Sequence, residues 1–351
     1  MIDQPKPIRQ GEELNTELLE PYLKDQLGLK GDLKVSQFPS GFSNLTYGLE
    51  LGEKQFVLRR PPFGANIKSA HDMGREFKIL SHLSPVYTKA PKPLLFCEDE
   101  NILGADFYVM ERVEGVILRA KMSKEMTPEA ALMGNIAESL IASLAELHSV
   151  DLNAAGLDDF GRPEGYAERQ IGGWTRRYAA SQTDHIPTID AAAKWLADNM
   201  PDDAGLALIH NDYKYDNVVL DRDDWTKIIA VLDWEMATVG DPLMDLGTSL
   251  GYWVEADDPP AMQELGLSPT ALPGNPSRVQ VLRMYEEASG RSIPNPVFYY
   301  VYGLFKVAVI LQQIYARYKK GLTQDERFAG LIHAVYACGE MAEKAVEKES
   351  I

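Results

Sequence analysis

The stretch "LIHNDYKYDNVVLD", residues 208 to 221, sets three carboxylates and a His between and beside two short aliphatic runs. The runs "ALIH" and "NVVLD" read as buried strands. Polar groups at the mouth of a core are costly unless they find partners, so the fold must bring other groups, or a ligand, to this stretch. Its spacing is H-x-D-x-x-x-x-N, with Asp212 five residues before Asn217, and "IIAVLDW" places Asp233 at the end of a further apolar strand.

Around this centre the chain changes texture once. Residues 12 to 29 carry Leu14, Leu18, Leu19, Leu23 and Leu27 at helical spacing, with Gly28 near the end. The segments "LKVSQFP", "LTYGLEL", "KQFVLRR", "PLLFCED" and "DFYVMERV" read as strands, with one helix, "GREFKILSHL", among them. After Gly115 helical patterns dominate, over "PEAALMGNIAESLIASLAELHSV" and over 277–289, 296–319 and 325–348. The expected architecture is α+β, with a small antiparallel-sheet lobe over 1–112 and a mostly helical lobe over 113–351.

The formal net charge of -17 argues against partners with phosphate backbones or anionic membrane surfaces. Cys97 and Cys338 are the only cysteines, which suggests neither a disulfide framework nor a Cys-based zinc site, and a reducing cytoplasm is the expected location. The N-terminal sequence shows no apolar run of signal-peptide length, and no 18 apolar residues follow one another without interruption. A small-molecule partner is expected, with no nucleic acid and no membrane.

Phosphoryl transfer explains the central residue types. One carboxylate, Asp212, orients or accepts the proton of an attacking hydroxyl, while the amide oxygen of Asn217 and the carboxylate of Asp233 hold magnesium on nucleotide phosphates. A polar turn in which Asp212, Asp216 and Asn217 bond only to local backbone is the competing reading. Strand alternation in "QFVLRR" places Arg59 and Arg60 on opposite faces, so only one of them can face a bound phosphate. His210 and His148 read as hydrogen-bonded core residues, and Asp241 and Asp245 in "GDPLMDLG" as anchors of a loop and helix.

The segments "SGFSNLTYGL", "FVLRRPP", "REFKIL", "FYVMERVEG", "LAELHSVD", "LIHNDYKYDNVVLD" and "VLDWEMATVGDPLMDLG" together resemble the aminoglycoside phosphotransferase and choline kinase family, in that family's order. The resemblance implies a bilobal protein-kinase-like fold and an ATP-dependent phosphotransferase, with GTP as the alternative donor and Mg2+ as metal. It makes Asp212 the catalytic residue and Asn217 and Asp233 the magnesium ligands. The phosphate-covering turn becomes Ser40, Gly41, Phe42, Ser43 and Asn44, with Arg59 and its helix partner Glu76 beside the phosphates. The backbone at Glu111 and Val113 falls at the adenine-binding hinge. The turn lacks the G-x-G-x-x-G pattern of protein kinases, and Arg59 stands where those have Lys.

The acceptor site is expected in residues 157 to 181, where Tyr166, Arg169, Trp174 and Arg177 form a basic, aromatic group suited to an anionic acceptor. This segment and "FVLRRPP" are most similar to the kinase domains fused to acyl-CoA dehydrogenases, which implies a hydroxyacyl-CoA acceptor. An aminoglycoside acceptor is the alternative. A nucleotide-binding module without catalysis is the reading of another class, opposed by the joint presence of Asp212, Asn217 and Asp233.

Overall fold

The computed structural model describes residues 4–38, 44–63, 72–202, 204–323 and 325–351. The chain forms two compact units: Met1–Ile117 with Asn153–Leu157 and Val218–Ala237, and Leu118–Leu152 with Asp158–Asn217 and Thr238–Ile351.

In the first unit, helix α1 (Thr16–Leu27) starts where the Asn15 side chain accepts the Leu18 N–H and stops at Gly28, whose φ of 64° suits a residue without Cβ. Strands β1 (Leu33–Gln37), β2 (Leu45–Leu51), β3 (Lys54–Arg60), β4 (Pro93–Cys97) and β5 (Phe107–Glu111) form one antiparallel sheet in the order β1-β2-β3-β5-β4. Leu19 and Leu23 of α1 share a core with Tyr47, Leu49, Phe56, Leu58, Phe107 and Val109. Alternation then leaves Val57 and Arg59 to the other face of β3. Helix α2 (Met73–Leu83) lies against β4 and β5, and the short helix α3 (Glu100–Leu103) stands between those two strands in the chain. Its Phe77 stacks on Phe96 with centroids 5.4 Å apart, and its buried positions Met73, Glu76, Ile79, Leu80 and Leu83 include one carboxylate.

Where the sequence suggests a single division after residue 112, the chain returns to the first unit later. The Val116 N–H donates to the Leu220 carbonyl at 2.9 Å, and the Leu220 N–H donates to the Val116 carbonyl at 2.8 Å. Gly115 makes this approach possible, since a Cβ there would collide with the Leu220 carbonyl. Strand β7 (Val218–Leu220) pairs with β8 (Ile228–Val231), and the Val231 N–H donates to the Lys89 carbonyl at 2.8 Å. Asp233 therefore belongs to the same unit as Arg59.

The second unit is helical: α4 (Ala130–Leu147), α5 (Tyr166–Ser181), α6 (Pro187–Asp198), α7 (Pro242–Gly251), α8 (Pro260–Leu265), α9 (Arg278–Ser289), α10 (Pro296–Lys319) and α11 (Leu331–Lys348). Strand β6 (Ala207–Ile209) pairs antiparallel with β9 (Thr238–Gly240). By length and composition α4 and α10 are apolar enough to cross a membrane, but α10 is mostly buried within its unit, against α5, α7 and α11. Gly247 and Gly251 of α7 meet Tyr299 and Gly303 of α10 backbone to backbone, with no room for a Cβ. This close crossing brings Lys306, one turn beyond Gly303, beside Thr248.

Candidate active site

The loop after β6 is held from below by one carboxylate. Asp245 of α7 accepts the His210 N–H on Oδ2 and the Asn211 N–H on Oδ1, each at 2.7 Å. His148 bridges that carboxylate, 3.1 Å away, to the Tyr285 hydroxyl at 2.7 Å. Burial works to raise the Asp245 pKa, but its bonds to His148 and His210 outweigh this and hold it below the usual range. Asp241 caps α7 by accepting the Leu243 N–H at 2.7 Å. Asn211 adopts a left-handed conformation, φ 66°, immediately before Asp212. Such strain persists only where surrounding contacts enforce it.

Asp212 Oδ2 receives the Lys214 ammonium at 2.5 Å and the Asn217 Nδ2 at 2.8 Å. The same Nδ2 also bonds to the Asp212 carbonyl at 2.8 Å. Burial works against ionisation, yet Lys214, with His210 and the Tyr252 hydroxyl, holds the Asp212 carboxyl below its usual range. Lys214 also lies 4.6 Å from the Tyr252 ring centroid. Lys214 pairs with Asp212, and the neighbouring Asp216 faces Arg119 at 3.7 Å. Asp221 caps a turn by accepting the Asp223 N–H at 2.9 Å.

In the first unit Arg59 is the centre of an ionic cluster. One guanidinium nitrogen bonds to Glu76, and Nη2 reaches Asp233 Oδ1 at 3.0 Å and Glu235 Oε2 at 3.3 Å. Burial opposes the charge, but these carboxylates outweigh it and keep the guanidinium fully charged. Burial in turn raises the Glu76 carboxyl against the pull of Arg59. Glu76 is 1% exposed, so it does not sit on a solvated helix face. Arg60 points the other way, donating to the Leu103 carbonyl at 3.0 Å and stacking over Phe63 at 3.8 Å. Asp233 itself has φ 66° and keeps its side chain 34% exposed.

The turn residues Ser40, Gly41, Phe42 and Ser43 lie outside the described residues. Asn44 is buried and donates to Glu235 Oε2 at 2.7 Å. At the hinge the Glu111 N–H is taken by the Lys92 carbonyl at 2.9 Å, whereas the Val113 backbone has no hydrogen bond among the described residues. On α5 the four expected acceptor residues divide into two buried and two exposed. Tyr166 and Trp174 are buried, and the Tyr166 hydroxyl donates to Asn211 Oδ1 at 3.1 Å. Arg169 folds back onto the carbonyls of Arg162 and Glu164, and Arg177 is exposed, stacked on Trp174 at 4.6 Å. The aromatic positions take the core-facing side of α5 with Ile171 and Tyr178; Arg169 lies away from that side, and Arg177 lies at its margin with its side chain exposed.

Among the described residues no group of three His, Cys, Asp or Glu is arranged to hold a metal. Magnesium binds through one or two side-chain oxygens and completes its shell with water and phosphate oxygens, and each unit offers an oxygen of that kind. In the second unit, the Asp212 oxygens facing Asn217 can only accept, so the amide must present its nitrogen there and direct Oδ1 away. In the first unit, Asp233 accepts from Arg59 through Oδ1, leaving Oδ2 as a hard oxygen.

Residues 34–279 match the model of the phosphotransferase enzyme family, and the chain belongs to it. It is 39% identical over 317 residues to acyl-CoA dehydrogenase family member 11 of Rattus norvegicus, across 88% of this chain and 40% of that one. Its identity to probable acyl-CoA dehydrogenase IBR3 of Arabidopsis thaliana is 35% over 306 residues, across 82% and 37%. The chain thus spans less than half the length of these relatives. Among solved structures it is similar to a presumed aminoglycoside phosphotransferase from Ralstonia eutropha, with 30% identity, TM-score 0.78, and 95% and 99% of the two chains covered. Aminoglycoside phosphotransferase APH(4)-Ia, solved with AMP-PNP and hygromycin B, shares the fold at TM-score 0.60 and 17% identity, over 93% and 97% of the chains. The fold is the α+β, protein-kinase-like one.

Proposed function

We propose that this chain is a magnesium- and ATP-dependent kinase that moves the γ-phosphoryl group to a hydroxyl of a hydroxyacyl-CoA or related anionic metabolite, acting in the cytoplasm. The observation that carries the reading is the Asp212 carboxylate, kept ionised by Lys214 and fixed by Asn217. Such a carboxylate accepts a hydrogen bond from the acceptor hydroxyl. As the hydroxyl oxygen bonds to phosphorus and the bond to the ADP oxygen breaks, the proton passes to Asp212. The transition state is loose, so orienting the nucleophile matters more than base strength, and a low pKa is no obstacle.

On the donor side, Ser40 to Asn44 and Arg59 face the phosphates, Glu76 orients Arg59, and the Glu111 carbonyl and Val113 N–H take the base, with GTP as the alternative donor. The unengaged Val113 backbone supports this role. Asn217 and Asp233 are the magnesium ligands. Magnesium, when bound, neutralises phosphate charge.

The relatives' acyl-CoA dehydrogenase names and the exposed Arg177 support an anionic acyl-CoA acceptor. Arg169 and Arg177 are the acceptor-facing candidates, with Tyr166 and Trp174 supporting them from the core. The net charge of -17 and the hygromycin-bound neighbour favour an aminoglycoside as the second reading. Incubation with γ-labelled ATP and a panel containing 4-hydroxyacyl-CoA and kanamycin-type amines, with magnesium or with EDTA, tests the choice. Magnesium-dependent label on the acyl-CoA supports the reading; label only on the amine overturns the acceptor. Tight nucleotide binding with no labelled product would favour a non-catalytic module.

A further inference from the structure

Lys306 lies mid-way along α10 and is 1% exposed, in a helix whose neighbours are almost all apolar. The reaction outlined above makes no use of it. A lysine is tolerated in such a place only where its ammonium is fully engaged. Nζ donates to the Asn211 carbonyl at 2.7 Å and lies 3.3 Å from Thr248 Oγ1 and 3.4 Å from Asn211 Oδ1. The Trp174 ring centroid is 5.7 Å away. Asp245 and Asp212 draw the charge toward the loop, while Lys214 and Arg177 oppose it.

The peptide that joins Asn211 to Asp212 is thereby held at both polar ends. Its carbonyl receives Lys306, and its N–H points to His210 Nδ1 at 3.3 Å. The preceding two N–H groups are held by Asp245, so the left-handed Asn211 is clamped on both sides. The orientation of this peptide plane sets the direction in which the Asp212 side chain leaves the backbone.

We infer that Lys306 is a positioning residue for Asp212, holding the Asn211 carbonyl so that the catalytic carboxylate meets the acceptor in a fixed direction. The inference rests on the role proposed for Asp212. A lysine that merely filled the core would affect global stability and leave turnover untouched once the protein had folded.

The test uses the full chain with Lys306→Met, which keeps the stem and removes the donor, and Lys306→Gln, which restores a neutral donor. Turnover with the accepted hydroxyl substrate, MgATP affinity, melting temperature and amide exchange over residues 209–217 are compared with wild type. We expect Lys306→Met to bind MgATP normally, to lose on the order of thirtyfold in kcat with little change in KM, and to exchange faster at residues 211–213. Lys306→Gln should recover most of the loss; if the Met variant does not fold, Lys306→Leu, which also lacks the donor, takes its place with the same expected losses. Unchanged kcat in the variant that lacks the donor, or exchange that rises uniformly across the unit, overturns the inference. If the wild type transfers phosphate to nothing, the kinase reading fails separately. The exchange pattern then still decides whether Lys306 holds this loop: faster exchange confined to 211–213 supports the clamp, and unchanged exchange overturns it.

Discussion

Asn217 presents its amide nitrogen to Asp212, with Nδ2 at 2.8 Å from both the backbone carbonyl and Oδ2. On the proposed reading one side chain serves two purposes, a donor toward the catalytic carboxylate and an oxygen toward a metal. Asn217→Asp keeps the ligand oxygen but sets a carboxylate against two acceptors. Turnover should fall by roughly a hundredfold, comparable to the loss of a group that organises proton transfer, while the dependence of nucleotide affinity on magnesium survives. Steady-state kinetics beside calorimetry with and without magnesium would show it. Equal losses in both would mean that the donor contact is incidental.

Arg59 and Glu76 form a buried pair in which the two partners are unequal. Arg59→Met leaves Glu76 buried with its main counter-charge gone and should cost about 3–5 kcal/mol of stability. Glu76→Gln leaves Arg59 with Asp233 and Glu235 and should cost less, about 1–2 kcal/mol. Urea denaturation of the two variants checks the order; the reverse order would contradict the assigned partners.

The burial of Lys306 makes a pH prediction with a definite sign. Burial lowers its pKa from 10.5 to about 8, although Asp245 and Asp212 pull it back up. Between those values the unfolded chain binds more protons than the folded one, so wild-type stability gains from this group as pH rises. Below about pH 8 the cost of the buried charge is present in full. Lys306→Met lacks this cost at every pH, so its stability relative to wild type should fall between pH 8 and 10.5, by on the order of 3 kcal/mol. Denaturation of both proteins at several pH values tests this, and parallel curves would refute a charged, buried Lys306.

How much of this was written in the sequence depends on how local each relationship is. The period of apolar residues locates α9 and α10 within a residue, and Gly28 marks the end of α1, because these signals lie within one element. Strand alternation separates Arg59 from Arg60 for the same reason. Strand β9 is three residues long and exists only through β6, so no local pattern announces it. Lys306 reads as a polar interruption of an apolar helix, because the carbonyl it binds is 95 residues earlier in the chain. Glu235 gave a weak signal, two residues after Asp233, and only the structure shows it tied to Arg59 and Asn44. The four acceptor candidates on α5 were chosen for chemistry without regard to which side of the helix the core would claim.

The central claim is that Asp212 receives the proton of an acceptor hydroxyl during phosphoryl transfer. The most direct measurement is transfer of label from γ-labelled ATP to the accepted hydroxyl substrate by wild type and by Asp212→Asn, with MgATP affinity measured on the same preparations. Asp212→Asn is expected to bind MgATP nearly as wild type does and to transfer label about a hundredfold or more slowly. Full transfer by Asp212→Asn, with a product identical to that of wild type, would contradict it.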